Sequence, residues 1–212
     1  MGELILLRHG QTTWSAAGKH TGRTDIPLTP EGEASASALA PLLASRVAGG
    51  NTIVAVLTSP AGRAVRTAAL AGLGGPDEPG SVSGVKSEPD PDLWEWDYGG
   101  YEGLTTSQIQ VEKPGGYLWR DGVIPGDAAH PGETVGQVGT RVDRVLARVH
   151  SLLPDGDVAL VAHGHVLRVL VARYLGLQAT EGRLFRLDTG TISTLGTEHD
   201  EPVVLTWNVP SR

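Results

Sequence analysis

The chain reads as an α/β protein: three α/β/α layers around a mostly parallel central sheet. Two observations predict it. Short apolar runs such as Leu4-Ile5-Leu6-Leu7 and Val158-Ala159-Leu160-Val161-Ala162 have the length and continuity of strands buried on both faces. They alternate along the chain with longer helix-like segments, as repeated strand-helix units do. The 212 residues fit one domain, 1–212, with ample material for a core.

The first strand ends at Arg8-His9, and Gly10 lets the backbone turn just beyond it. Thr29 then supplies an N-cap and Pro30 a first helical residue, predicting an Ala/Leu-rich helix to about Arg46. Ile53-Val54-Ala55-Val56-Leu57 is a second buried strand, and Thr58-Ser59-Pro60 starts a helix from about Ala61 to Leu73 with Arg63 in its first turn. Residues 74–92, rich in Gly, Pro, Ser and acids, predict a loop holding one short strand at most. Residues 110–133 form a second irregular segment, a candidate lid, with Tyr117 and Trp119 as packing anchors. A helix follows to about Leu153. The third buried strand, 158–162, ends on His163-Gly164-His165 before a helix from about Val166 to Tyr174. Strands near 191–196 and 203–208 complete the sheet.

Composition narrows the functions available. The net charge of −7 and the absence of a Lys/Arg cluster argue against a nucleic-acid partner. With no cysteine, neither disulfides nor thiolate chemistry is available. The apolar runs are too short to span a membrane. Met1-Gly2-Glu3 lacks the basic start of a signal peptide, and Leu6 stands where a myristoylation motif has Ser or Thr. The expectation is a cytoplasmic protein.

Ligands of open α/β sheets bind at the carboxyl ends of the strands. Parallel strands ending at Arg8-His9 and His163, with Arg63 from the equivalent end of the middle unit, gather two arginines and two histidines beside helix N-termini. Such a site suits a phosphoryl group with its roughly −1.5 to −2 charge. Metal binding is the competing use of histidine. The arginines would repel a cation, and no carboxylate stands in ligand spacing with His9 or His163.

These motifs resemble the histidine phosphatase superfamily, which contains the cofactor-dependent phosphoglycerate mutases. The resemblance covers nearly the whole chain. The family's R-H-G is Arg8-His9-Gly10, and its S-P-x-x-R-A-x-x-T-A runs from Ser59 to Ala68. The second histidine is His163 in Ala162-His163-Gly164, and an acidic motif runs from Leu93 to Gly103. The resemblance implies a phosphoglycerate mutase-like fold. It also implies that His9 is the nucleophile that becomes a phosphohistidine, that Arg8, Arg63 and protonated His163 hold the phosphoryl oxygens, and that Glu95 exchanges the leaving-group proton. No metal or organic cofactor is expected.

Ser15 replaces the family's common Asn, and its hydroxyl retains the ability to donate to phosphate; an exposed turn residue is the other reading. Thr21, Gly22 and Gly164 are further candidates for the phosphate site. His20 and Arg23 suit a second phosphate, a sugar hydroxyl, or a solvated loop. His165 either lines the pocket or orients its loop, Thr189 and Gly190 offer backbone N–H groups, and Glu102 is structural.

Mutase and phosphatase share all of these residues. At positions where the mutases carry cations for their bisphosphorylated acid, this chain has Trp96, Thr106 and, after Trp119-Arg120, Asp121. The runs Arg8–Ser15, Thr21–Pro30, Glu95–Gly99 and Trp119–Gly122 resemble instead the branch of broad acid phosphatases and sedoheptulose-1,7-bisphosphatases. The expectation is a phosphatase acting on a small phosphorylated metabolite, with a homodimer as a possible assembly. A mutase and a non-catalytic phospholigand-binding protein are the alternatives.

Overall fold

A computed structural model describes residues 2–211. Six strands, β1 (Leu4–Arg8), β2 (Ile53–Thr58), β3 (Glu88–Pro89), β4 (Asp157–Ala162), β5 (Thr191–Glu198) and β6 (Glu201–Pro210), form one sheet in the order β3-β2-β4-β1-β5-β6. The β1–β4, β2–β4 and β2–β3 pairs are parallel, while β5 runs antiparallel to β1 and β6. This is the mostly parallel sheet that the buried runs predict.

Alternation within the strands builds the layers. Leu4 and Leu6 of β1 and Val158 and Leu160 of β4 pack on one face, against α7 (Val135–Leu152) and α8 (Gly164–Tyr174). Ile5, Leu7, Ala159 and Val161 face the other way, toward α3 (Ala40–Ala48) and α4 (Gly62–Leu70). Both central strands are therefore covered on both sides, which explains their unbroken apolar composition.

The expected helix from Thr29 to Arg46 is two helices, α2 (Pro30–Ser37) and α3. Pro41 is the cause. It has no N–H to continue the ladder, and its ring collides with the carbonyl four residues earlier, at Ser37. The helix after Ser59 is also shorter than expected, ending at Leu70, and Gly72 at φ +76° turns the chain away. A four-residue helix, α1 (Thr13–Ala16), follows the nucleophile loop. The segment expected to be irregular at 110–133 holds the end of α5 (Thr106–Glu112) and α6 (Leu118–Asp121). Trp119 is buried there, but Tyr117 is exposed and is not a packing anchor. His163 caps α8, which starts two residues before the expected Val166.

Gly10 and Gly32 show how closely α2 packs beneath the loop after β1. A Cβ at Gly32 would lie 2.1 Å from the Gln11 carbonyl oxygen, and one at Gly10 2.2 Å from the Gly32 carbonyl oxygen. Gly32→Ala is expected to destabilise the protein by about 2 kcal/mol, despite alanine's better helix propensity. Gly136→Ala, in the open first turn of α7, is expected to stabilise it by about 0.5 kcal/mol. Urea denaturation of the two variants reads both signs.

Candidate active site

The pairing of β1 with β4 assembles the site. Arg8 stands opposite Ala162 in the parallel register, so the next residue on each strand is a histidine. The rings of His9 and His163 meet edge to face with centroids 5.1 Å apart. β2 ends one position further along the sheet, where the Ser59 N–H donates to the Val161 carbonyl at 2.9 Å.

His9 is buried, and its Nδ1 lies 2.7 Å from its neighbour's carbonyl, Gly10 O. A carbonyl only accepts, so Nδ1 carries the proton and Nε2 keeps its lone pair. Thr67 fixes the peptide that joins His9 to Gly10, its hydroxyl accepting from the Gly10 N–H at 3.0 Å. Burial, then the charges of Arg8 and Arg63, hold the His9 imidazole well below its ordinary range. These features leave a neutral ring with a free Nε2.

His163 differs from its expected state. Its Nδ1 accepts from Arg63 Nε at 3.2 Å, which leaves Nε2–H to donate to Ser59 Oγ at 2.7 Å. Burial and the charge of Arg63 push its pKa far down, so the ring is neutral rather than protonated. Arg63 is likewise committed within the protein, donating to Thr24 O at 2.8 Å and Gly22 O at 2.9 Å. Arg63 therefore clamps the 21–24 loop, His163 stands against the His9 ring, and neither lines the cleft. Arg8 does line it. Its Nε is buried without a partner, and burial lowers the guanidinium's pKa. Gly164 lets it approach, since a Cβ there would lie 3.0 Å from Arg8 Cζ.

Glu95 is buried at the N-terminus of α8. Its Oε1 accepts from the backbone N–H groups of Trp96 at 2.9 Å and Val166 at 2.8 Å, and Oε2 accepts from His165 at 3.0 Å. Oε1 is thus filled, and Oε2 retains a lone pair for a proton. Arg141 holds the segment that carries Glu95, donating to the carbonyls of Asp92, Trp94 and Glu95 and pairing with Glu133. Sequence reading missed it. A buried arginine on the inner face of a long helix is its only signal.

The remaining candidates divide. Ser15, Thr21, His20 and Gly164 border the cleft with Arg8, His9 and Glu95. The Ser15 hydroxyl donates to Thr12 O and accepts from Thr12 N, closing a capping box rather than pointing a donor at the cleft. Gly22 is not exposed to it, because its N–H donates to Glu102, which also accepts from Thr24 N and so has the expected structural role. Arg23 lies over the Trp94 ring beside Asp97, away from the cleft. The Gly190 N–H donates to the carbonyls of Arg8 and His9, and Thr189 does not line the site either. Trp96 is fully buried with its indole N–H on Glu133 O, so it is a core residue and not a substrate-facing one. Lys19, Tyr98 and Arg168 line the cleft without having been anticipated. Arg168 falls one turn after Gly164, a spacing that points back at the same helix end.

The cleft continues into a chamber of about 230 Å³ bordered by Tyr101, Ile109, Tyr117, Trp119 and Arg168. Residues 113, 116–119, 121 and 122 supply one wall. His20, Thr106, His165 and Arg168 border both spaces.

A strand-end histidine pair beside a carboxyl on a helix N-terminus, within this sheet order, is the arrangement of an α/β phosphoryl-transfer enzyme. The chain belongs to the histidine phosphatase superfamily, branch 1, whose family profile matches residues 4–210. It is 39% identical over 196 residues to an acid phosphatase of Mycobacterium tuberculosis, covering 92% of this chain and 87% of that protein. It is 36% identical over 190 residues to a sedoheptulose 1,7-bisphosphatase of Saccharomyces cerevisiae, covering 82% and 67%. A probable phosphoglycerate mutase of Photorhabdus laumondii is 30% identical, covering 98% and 90%. Among solved structures, the product of an open reading frame from Mycobacterium tuberculosis superposes with a TM-score of 0.82 at 35% identity, covering 100% and 99%.

Burial keeps three histidines, His9, His163 and His165, from taking up protons in the folded chain. The unfolded chain binds those protons below about pH 6.5, so stability falls as pH drops through that value. Urea denaturation in phosphate-free buffer should show stability falling between pH 6.5 and 5.5, by up to about 1 kcal/mol for each histidine that stays neutral.

Proposed function

We propose that this phosphatase hydrolyses small phosphate monoesters, sugar phosphates among them, by way of a phosphohistidine on His9. The free Nε2 of His9 beside the unpartnered Arg8 Nε carries the reading. Arg8 Nη1 donates to the Leu187 carbonyl, and a phosphoryl dianion gives the remaining buried Nε–H the acceptor it lacks, while the N-terminus of α8 adds its own positive potential.

In the first step the Nε2 lone pair forms the N–P bond as the P–O bond to the alcohol breaks, and Glu95 passes the proton held at Oε2 to the departing oxygen. In the second, water attacks phosphorus and the N–P electron pair returns to Nε2, while Oε2 takes the proton from water. Arg63 and His163 act through His9: Arg63's charge opposes its protonation, and His163 packs against its ring. Both steps run without metal or organic cofactor. The yeast relative is a bisphosphatase of a sugar, sedoheptulose, which supports the substrate class. Thr106 and the ion-paired Asp121 stand on the chamber wall where the mutases are expected to carry cations, which supports hydrolysis over retention of a bisphosphorylated acid. In this reading the 110–133 segment covers the leaving group.

His9→Ala should abolish trapping of labelled phosphate on the protein, and turnover that survives the substitution would refute the mechanism. Glu95→Gln should lower kcat/KM for alkyl phosphates by about 10²–10⁴-fold, and by less than about tenfold for nitrophenyl phosphate, whose leaving group needs no proton. A metal-free phosphate-release screen across sugar phosphates, bisphosphates, phosphoglycerates and nucleotides, run beside phosphoglycerate interconversion, separates phosphatase from mutase.

A further inference from the structure

Two histidines that the phosphoryl chemistry leaves unused stand where the phosphate cleft opens into the chamber. His20 and His165 border both spaces, with nearly parallel rings (5°) and centroids 6.2 Å apart. Each has one ring nitrogen fixed by the protein, and the two are fixed in opposite senses.

His20 Nδ1 lies 2.9 Å from the Leu104 carbonyl, which only accepts. Nδ1 therefore carries the proton, and in the neutral ring Nε2 is an acceptor. His165 Nδ1 bonds to the Tyr98 hydroxyl. Burial raises the Tyr98 phenol well above its ordinary range and pushes the His165 imidazole well below its own, so both are neutral. Because a phenol O–H is the stronger donor and a bare ring nitrogen the stronger acceptor, the hydroxyl donates to Nδ1. The proton of His165 is then on Nε2, which is a donor. The aromatic contacts of His165 with Trp119 at 5.2 Å and Trp96 at 6.0 Å hold the ring in place. Its backbone N–H, meanwhile, donates to Glu95 Oε2, the oxygen that exchanges the proton. The side-chain donor is therefore tied to the position of the leaving oxygen.

An acceptor and a donor side by side match a group that both donates and accepts, and a hydroxyl is the simplest such group. We propose that His20 and His165 form a specificity pair that recognises a hydroxyl on the leaving group next to the ester oxygen, so that the preferred substrates are phosphate esters of polyhydroxy alcohols. This rests on the phosphatase reading above and deepens it. Arg8 and His9 select the phosphoryl group, and the histidine pair selects the alcohol.

The test compares glycerol 3-phosphate with propyl phosphate, which share a three-carbon skeleton and differ in the hydroxyls. In the wild type the ratio of their kcat/KM values is expected to be about tenfold in favour of the hydroxylated ester, the range of one or two neutral hydrogen bonds. His165→Phe keeps the ring and removes the donor, and His20→Phe removes the acceptor; each should bring the ratio to about one. His165→Gln, which retains an N–H donor, should restore part of it. A second measurement does not depend on variants folding: ¹⁵N NMR of the wild type should show Nε2–H on His165 and Nδ1–H on His20. A wild-type ratio within twofold, a ratio unchanged in both Phe variants, or the opposite tautomer on either ring overturns the pair while leaving the phosphatase reading standing. Failure to release phosphate from any ester overturns both.

Discussion

The parallel pairing of β1 with β4 is the constraint on which the site depends. It places His9 and His163 one step beyond paired residues and sets their rings 5.1 Å apart. Two unpartnered cations could not be held this close without large repulsion in a buried site, so the structure keeps both rings neutral. Gly10 fixes the proton of one, and Arg63 with Ser59 fixes that of the other. The positive charge sits instead on arginines, of which Arg8 faces the cleft. A neutral nucleophile beside a permanent cation suits attack on an anionic ester better than a cluster of imidazolium groups.

A second network does for the carboxyl what the strand pairing does for the histidines. Arg141 reaches from α7 to three carbonyls of the 92–95 segment, and its partner Glu133 also receives the Asp97 N–H and, through its carbonyl, the Trp96 indole. Glu95 is thereby set against the N-terminus of α8, which itself follows His163. Nucleophile, carboxyl and helix terminus are all tied to the end of β4. Small displacements there alter all three together.

Much of this was legible in the residue order. The buried strands, the capped helix start at Thr29, and the strand-end and helix-start residues Arg8, His9, Arg63 and His163 are local signals, carried by periodicity, capping chemistry and spacing, while Glu95 was legible only through the resemblance to the family's acidic motif. What was misread depends on contacts distant in sequence. Trp96 sits within an acidic motif and reads as exposed, yet it packs beside Trp119 in the core. Arg23 and Gly22 lie in a loop beside the nucleophile, yet Asp97 and Glu102, some eighty residues away, take up their polar groups. Ser15 has the hydroxyl expected of a phosphate donor, but the turn of α1 engages it first.

Sequence alone determined the layered α/β architecture, the strand ends that carry chemistry and the class of group they bind, because a strand's burial and a helix's cap are written within a few residues. Only the tertiary structure decided which atom of each residue is free. Proton positions on His9, His163, His20 and His165 follow from single carbonyls, hydroxyls and guanidinium groups supplied by other elements. A hydrogen bond of about 2.9 Å depends on packing that no local pattern encodes.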